Sequence, residues 1–179
     1  MTGLAEKIVA IDRSLHDARI AHAFGGALAL AWCTHRARGT IDIDVNVFAA
    51  VDRSAAVLSA LPGGVAWSDE HLARLTTEGQ VRVWWEGTPV DIFLNTTTFH
   101  EEAATRVHVE EFAGAEVPFL DCSDLAVFKA FFNRTQDWAD LEQMADAGTL
   151  DLDRLLGVLV RYLGPADDRI ERARSLTTT

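Results

Sequence analysis

The sequence predicts an α/β fold in which strands and helices alternate and then give way, from Ser123 onward, to a helical C-terminal part. Three observations carry this expectation. The segment Thr40 to Phe48, TIDIDVNVF, alternates at the two-residue period of a half-buried strand, with Ile41, Ile43, Val45 and Val47 on one face and Asp42, Asp44 and Asn46 on the other. At the N-terminus, Leu4, Ile8, Ile11, Leu15 and Ala18 recur instead at helical spacing. Past Ser123 only helical patterns follow.

Taken in order, Leu4 to Arg19 reads as an amphipathic helix and Ile20 to Phe24 as a short strand. Gly25-Gly26 breaks the pattern, and Ala27 to Thr34, small and apolar, suits a buried helix. After the alternating strand, a helix from Arg53 to Leu61 stops at Pro62-Gly63-Gly64, and another spans Ser68 to Leu75 with Ser68 or Asp69 as its cap. Gln80 to Glu86 and Pro89 to Leu94 form two strands of a hairpin around Gly87-Thr88. Phe99 to Thr105 is a short helix, and Val107 to Phe112 and Val117 to Leu120 are short strands. Ser123 or Asp124 caps the first C-terminal helix, and Gly164-Pro165 separates Leu152 to Leu163 from Ala166 to Leu176. The expected division is a core over 1–122 and a helical extension over 123–179 packed on it as one compact unit.

A chain of 179 residues, half of them apolar, is long enough to bury a real core. The net charge of −11 disfavours a general nucleic-acid binder, which needs clustered Lys and Arg, though Arg36 and Arg38 allow a local basic rim. An acidic surface also suits a cationic partner. No run of about eighteen apolar residues and no signal-peptide pattern occurs, so a cytoplasmic protein without a membrane partner is expected. Cys33 and Cys122 lack close Cys or His spacing and read as buried free thiols.

Asp42 and Asp44, two apart on a strand, project from the same face and repel one another. A divalent cation between them would relieve that repulsion, and magnesium prefers hard oxygen ligands. A solvated polar face explains the pair equally well. Gly25-Gly26 ahead of a helix supplies free N–H groups and close approach for phosphate. Asp91, in VDIFL, is a third strand carboxylate with apolar neighbours, a position costly for a charge that faces no site.

As a set, the Gly25-Gly26 turn, RGTIDID and the distant strand residue Asp91 resemble the DNA polymerase beta-like nucleotidyltransferase superfamily over Phe24 to Leu94. Arg38-x-Thr40-x-Asp42-x-Asp44, with Asp124-Leu125, Lys129, Arg134, Asp137 and Asp140-Leu141, is similar to the AbiEii/AbiGii-type toxin nucleotidyltransferases and extends the match to Met144. Gly26 departs from the serine that many relatives place there. The resemblance implies the nucleotidyltransferase fold, a mixed sheet flanked by helices. It further implies a two-metal magnesium site, with manganese as an alternative, on Asp42, Asp44 and Asp91, the last also the general base. Gly25, Gly26, Arg38, Thr40, Lys129, Asp137 and Asp140 would then bind the NTP donor. The implied acceptor is an RNA or tRNA end, with a cognate antitoxin as partner; an aminoglycoside or lincosamide acceptor and a silent nucleotide-binding member are the alternatives.

If Asp124 to Met144 were one helix, Lys129, Asn133 and Asp140 would share a face within about 40°. Spacing alone favours an exposed ion-paired face opposite Leu125, Phe128 and Phe132; the resemblance assigns Lys129 to the triphosphate. Trp84 and Trp85, adjacent on a strand, must face opposite sides, one of them the core. His100-Glu101-Glu102 lacks the second histidine of a zinc-protease motif.

Overall fold

The computed structural model describes residues 2–36 and 39–176. In chain order the elements are α1 (Leu4–Asp17), β1 (His22–Phe24), α2 (Gly26–Thr34), β2 (Ile43–Ala50), α3 (Ser54–Ser59), β3 (Val65–Ala66), α4 (Asp69–Glu78), β4 (Gln80–Trp85), β5 (Thr88–Asn95), α5 (Thr98–Ala104), β6 (His108–Phe112) and β7 (Ala115–Phe119), then helices α6 (Cys122–Phe132), α7 (Thr135–Asp146), α8 (Leu152–Leu163) and α9 (Asp168–Arg174). The chain divides into a unit made of Met1–Leu28 with Gly39–Leu120 and a unit made of Ala29–Arg38 with Asp121–Thr179.

In the first unit the described strands form one mixed sheet in the order β3-β4-β5-β2-β1-β7-β6. β2 runs parallel to β5 and β1 parallel to β7, and the other neighbouring pairs are antiparallel. One face is the core: Ile43, Val45 and Val47 of β2, Val90, Ile92 and Leu94 of β5 and Val81, Val83 and Trp85 of β4 pack with Ile8, Ile11 and Leu15 of α1 and Leu75 of α4. Each such side chain contributes about 1.5–3 kcal/mol by leaving water. That burial fixes the register, since a one-residue slip would turn every apolar residue outward.

Two local features hold this half of the sheet. Glu86 and Gly87 both have positive φ, +47° and +82°, so β4 and β5 are joined by a two-residue turn of the type that matches strand twist. Buried Lys7 donates from Nζ to the Trp85 carbonyl at 2.7 Å and to Thr88 Oγ1 at 2.9 Å, tying α1 to both ends of that turn. The turn thus lies one residue earlier than Gly87-Thr88, and the two-residue strand β3 escapes the sequence pattern because it is too short to show a period.

The second unit is helical in its C-terminal segment, and two expectations are corrected there. The stretch from Asp124 to Met144 is not one helix. Asn133, at φ +57°, ends α6, and its side chain accepts a hydrogen bond from Trp138 Nε1 at 2.7 Å, so α7 starts afresh. Cys33 and Cys122 are not free thiols but form a disulfide across a sequence separation of 89 residues. Neither cysteine has a nearby partner in sequence; the pairing exists because the end of α2 meets the start of α6.

Candidate functional site

The face of the sheet opposite the α1 core carries the acidic residues. Along β2, Asp44 and Asn46 alternate with the buried valines, and Asp44 stands directly beside Asp91 in the parallel β2–β5 register. Neighbouring strands are about 4.8 Å apart, so the two carboxylates issue side by side. On the other flank of Asp91, the antiparallel β4–β5 register places Arg82 directly opposite.

Arg82 grips Asp91 with a two-pronged contact: Nε donates to Oδ1 at 2.7 Å and Nη2 to Oδ2 at 2.6 Å. The same Nη2 is 4.0 Å from Asp42 Oδ2. Hydrogen bonding to Asp91, then the charges of Asp91, Asp42 and Asp44, raise the Arg82 pKa above its ordinary value. The guanidinium is therefore a fixed positive charge among three carboxylates. Its side chain is 50% exposed against 16% for Asp91, so the arginine, not the aspartate, is the partner with room to move.

Asp42 lies just before β2, where the chain is still turning. Its backbone N–H donates to Thr40 Oγ1 at 3.3 Å, and the Thr40 hydroxyl donates in turn to the Asp42 carboxylate. Thr40 thereby orients Asp42.

The Gly-Gly turn is built against these residues. Gly25 N–H donates to the Asp44 carbonyl at 3.0 Å, which joins the turn to β2. Gly26 opens α2 at φ +52°, and a Cβ added there would lie 1.8 Å from Asp44 Oδ2 and 3.0 Å from Asp44 Cβ. The left-handed backbone favours glycine, and any side chain here would have to displace the Asp44 carboxylate. A Cβ on Gly25 would meet Asn46 Nδ2 at 2.7 Å. The carboxylate thus sits at the N-terminal end of a helix, where free N–H groups and the macrodipole favour negative charge.

Asp42, Asp44 and Asp91 offer hard oxygen donors on one face, the chemistry that suits magnesium. Among the described residues, no three His, Cys, Asp or Glu side chains are gathered into a ligand set as they stand. On the same face, both Asp91 oxygens accept from Arg82. The residues suit a divalent cation in type, provided the Arg82 guanidinium moves off Asp91.

The sequence-derived residues therefore fall into two groups. Gly25, Gly26, Thr40, Asp42, Asp44 and Asp91 come together in the first unit. Lys129, Asp137 and Asp140 come together in the second, as a buried network rather than an exposed face: Lys129 Nζ is 2.7 Å from Asp140 Oδ2 and 3.8 Å from Asp137 Oδ1, and Arg134 Nε donates to Asp137 Oδ2 at 2.7 Å. Arg38 lies outside the described residues. Arg82 was not anticipated. Its signal lay in the hairpin: a turn at Glu86-Gly87 pairs residue 85 with 88 and hence 82 with 91.

No family model matches the chain, and no curated protein matches it. Solved structures do. The antibiotic-resistance factor ANT(2'')-Ia is similar over 88% of this chain and 90% of its own, with a TM-score of 0.59 at 11% identity. An antigenic nucleotidyltransferase-like protein from Paracoccidioides brasiliensis is similar over 98% of this chain and 94% of its own, with a TM-score of 0.52 at 14% identity. At such identities the likeness shows the fold: a mixed sheet flanked by helices, shared with nucleotidyltransferase-like structures. Among the described residues, no helix is long and apolar enough to cross a membrane.

Proposed function

We propose that the chain is a magnesium-dependent nucleotidyltransferase that moves an NMP from an NTP donor to an acceptor hydroxyl. The observation that carries this reading is the lateral register of Asp44 and Asp91 on adjacent parallel strands, with Gly26 pressed against the Asp44 carboxylate. Asp42, Asp44 and Asp91 would hold magnesium, or manganese in its place. Bound there, the metal supplies charge for the phosphate oxygens and eases ionisation of the hydroxyl. Asp91 accepts the proton of that hydroxyl, and Thr40 keeps Asp42 oriented. The N–H groups at the start of α2 would favour the donor's phosphate oxygens, while the missing side chains of Gly25 and Gly26 make room for Asn46 and the Asp44 carboxylate. Arg38, Lys129, Asp137 and Asp140 are assigned to the nucleotide on the AbiEii-like pattern alone; for Lys129 this role requires its ammonium to turn from Asp140.

An RNA or tRNA end is the acceptor that the AbiEii-like residues favour, in a toxin–antitoxin setting and in a cytoplasmic protein; such an acceptor needs basic residues, for which the sequence offers Arg36, Arg38 and Arg134. A second reading, a cationic small-molecule acceptor such as an aminoglycoside, is favoured by the net charge of −11 and by the fold shared with an antibiotic-resistance factor. Incubation with radiolabelled NTPs, magnesium and either total RNA, a protein extract or an aminoglycoside panel separates them. Label on RNA that disappears in Asp42→Asn and Asp44→Asn supports the first reading. Label only on the antibiotic reverses the order, and nucleotide binding without transfer to any acceptor points to a silent member of the fold.

A further inference from the structure

Both oxygens of Asp91 are taken by one guanidinium, and this bears on how a cation can enter the site. A two-pronged arginine contact takes one lone pair on each carboxylate oxygen and sets a positive charge where a cation would chelate both. The arginine is not incidental to the sheet: the turn at Glu86-Gly87 fixes the register that sets Arg82 opposite Asp91, as the β2–β5 register sets Asp44 opposite Asp91 on its other side. Arg82 Nη2 also approaches Asp42 Oδ2, so one guanidinium offsets part of the repulsion of the whole cluster. Half-exposed at the open face, its side chain can swing into solvent without opening the core.

We propose that Arg82 is the resident counter-cation of the carboxylate cluster and exchanges with a divalent cation: guanidinium and metal compete for the Asp91 oxygens, so that Arg82 sets the metal affinity of the site. The inference rests on the reading of Asp42, Asp44 and Asp91 as metal ligands. It makes Arg82 a positioning residue, which aligns Asp91 beside Asp44 and yields it when the metal is taken up.

The test uses the full chain and manganese alone, with the dissociation constant read from water-proton relaxation. Arg82→Gln should bind manganese about tenfold more tightly than the parent, equivalent to about 1.4 kcal/mol. Arg82→Lys, which keeps the charge but loses the fork, should fall between them; it also serves if the glutamine variant fails to fold. Arg74→Gln, which removes an equal charge from an exposed pair with Glu78, should leave the affinity unchanged. In the parent, the Arg82 Nε–H resonance, held by Asp91, should shift and broaden as magnesium is added. Equal or weaker manganese binding by Arg82→Gln, or an Nε–H signal unmoved at saturating magnesium, overturns the exchange while leaving the metal site intact. If parent and Arg82→Gln bind no manganese, as Asp44→Asn should not, the metal reading itself fails and the exchange with it.

Discussion

Gly26→Ala concentrates the argument for the site in one methyl group. At φ +52° an alanine carries the left-handed backbone cost of about 1–2 kcal/mol, and its Cβ would lie 1.8 Å from Asp44 Oδ2. Rotation of the Asp44 side chain can remove the oxygen, but not the contact with Asp44 Cβ at 3.0 Å, because β2 anchors that atom between β1 and β5. The expected fall in Tm is therefore about 2–8 °C, from about 2–4 °C per kcal/mol for a chain of this size. The larger effect should be on metal: a rotated Asp44 carboxylate should weaken manganese binding by about ten- to a hundredfold, as loss of an orienting neighbour does at metal sites. Gly25→Ala is the internal control. Gly25 has no positive φ, and the atoms nearest its Cβ would be side-chain ends, Asn46 Nδ2 at 2.7 Å and Leu120 Cδ1 at 3.2 Å, so it should cost less on both scales. Scanning calorimetry and manganese titration read the two quantities. A Gly26→Ala protein that melts with the parent and binds manganese equally well would refute the reasoning.

Three further outcomes follow from the second unit and from α5. The disulfide joining Cys33 and Cys122 closes a loop of 89 residues in separation, for which chain entropy gives about 4–5 kcal/mol, so urea unfolding with and without reductant should show a large drop in midpoint; coincident curves would deny the bond a role in stability. Lys129→Met leaves the buried Asp140 carboxylate without its 2.7 Å partner and should destabilise by about 3–5 kcal/mol in urea titration, whereas unchanged stability with lost NTP affinity would show that the lysine serves the nucleotide. Burial lowers the His100 pKa below its ordinary value of about 6.5, so as pH falls through that value the unfolded chain takes up the proton first and stability declines. His100→Gln should flatten that decline as pH falls below about 6.5 in calorimetric scans, and an unaltered slope would assign it to other groups.

The sequence by itself determined what depends on local periodicity and side-chain type. The alternation of TIDIDVNVF put Asp44 and Asn46 on one face and the valines on the other, since that division follows from the two-residue strand repeat wherever the strand goes. Ser68 ahead of α4 and the adjacent Trp84 and Trp85, one half-exposed and one in the core, were legible for the same reason. Pairing in space was not. Which strand lies beside β2, and in what register, depends on burial of the whole apolar face; that choice set Asp91 next to Asp44. Moving the hairpin turn by a single residue, to Glu86-Gly87 rather than Gly87-Thr88, made Arg82 and not Trp84 the neighbour of Asp91. The break at Asn133 turned a supposed single helix face into two facing helices, and so converted Lys129, Asp137 and Asp140 from an exposed row into a buried network. Cys33 and Cys122 carry no trace of each other in sequence, because a disulfide across 89 residues is decided only when the folded chain brings the two helix ends together.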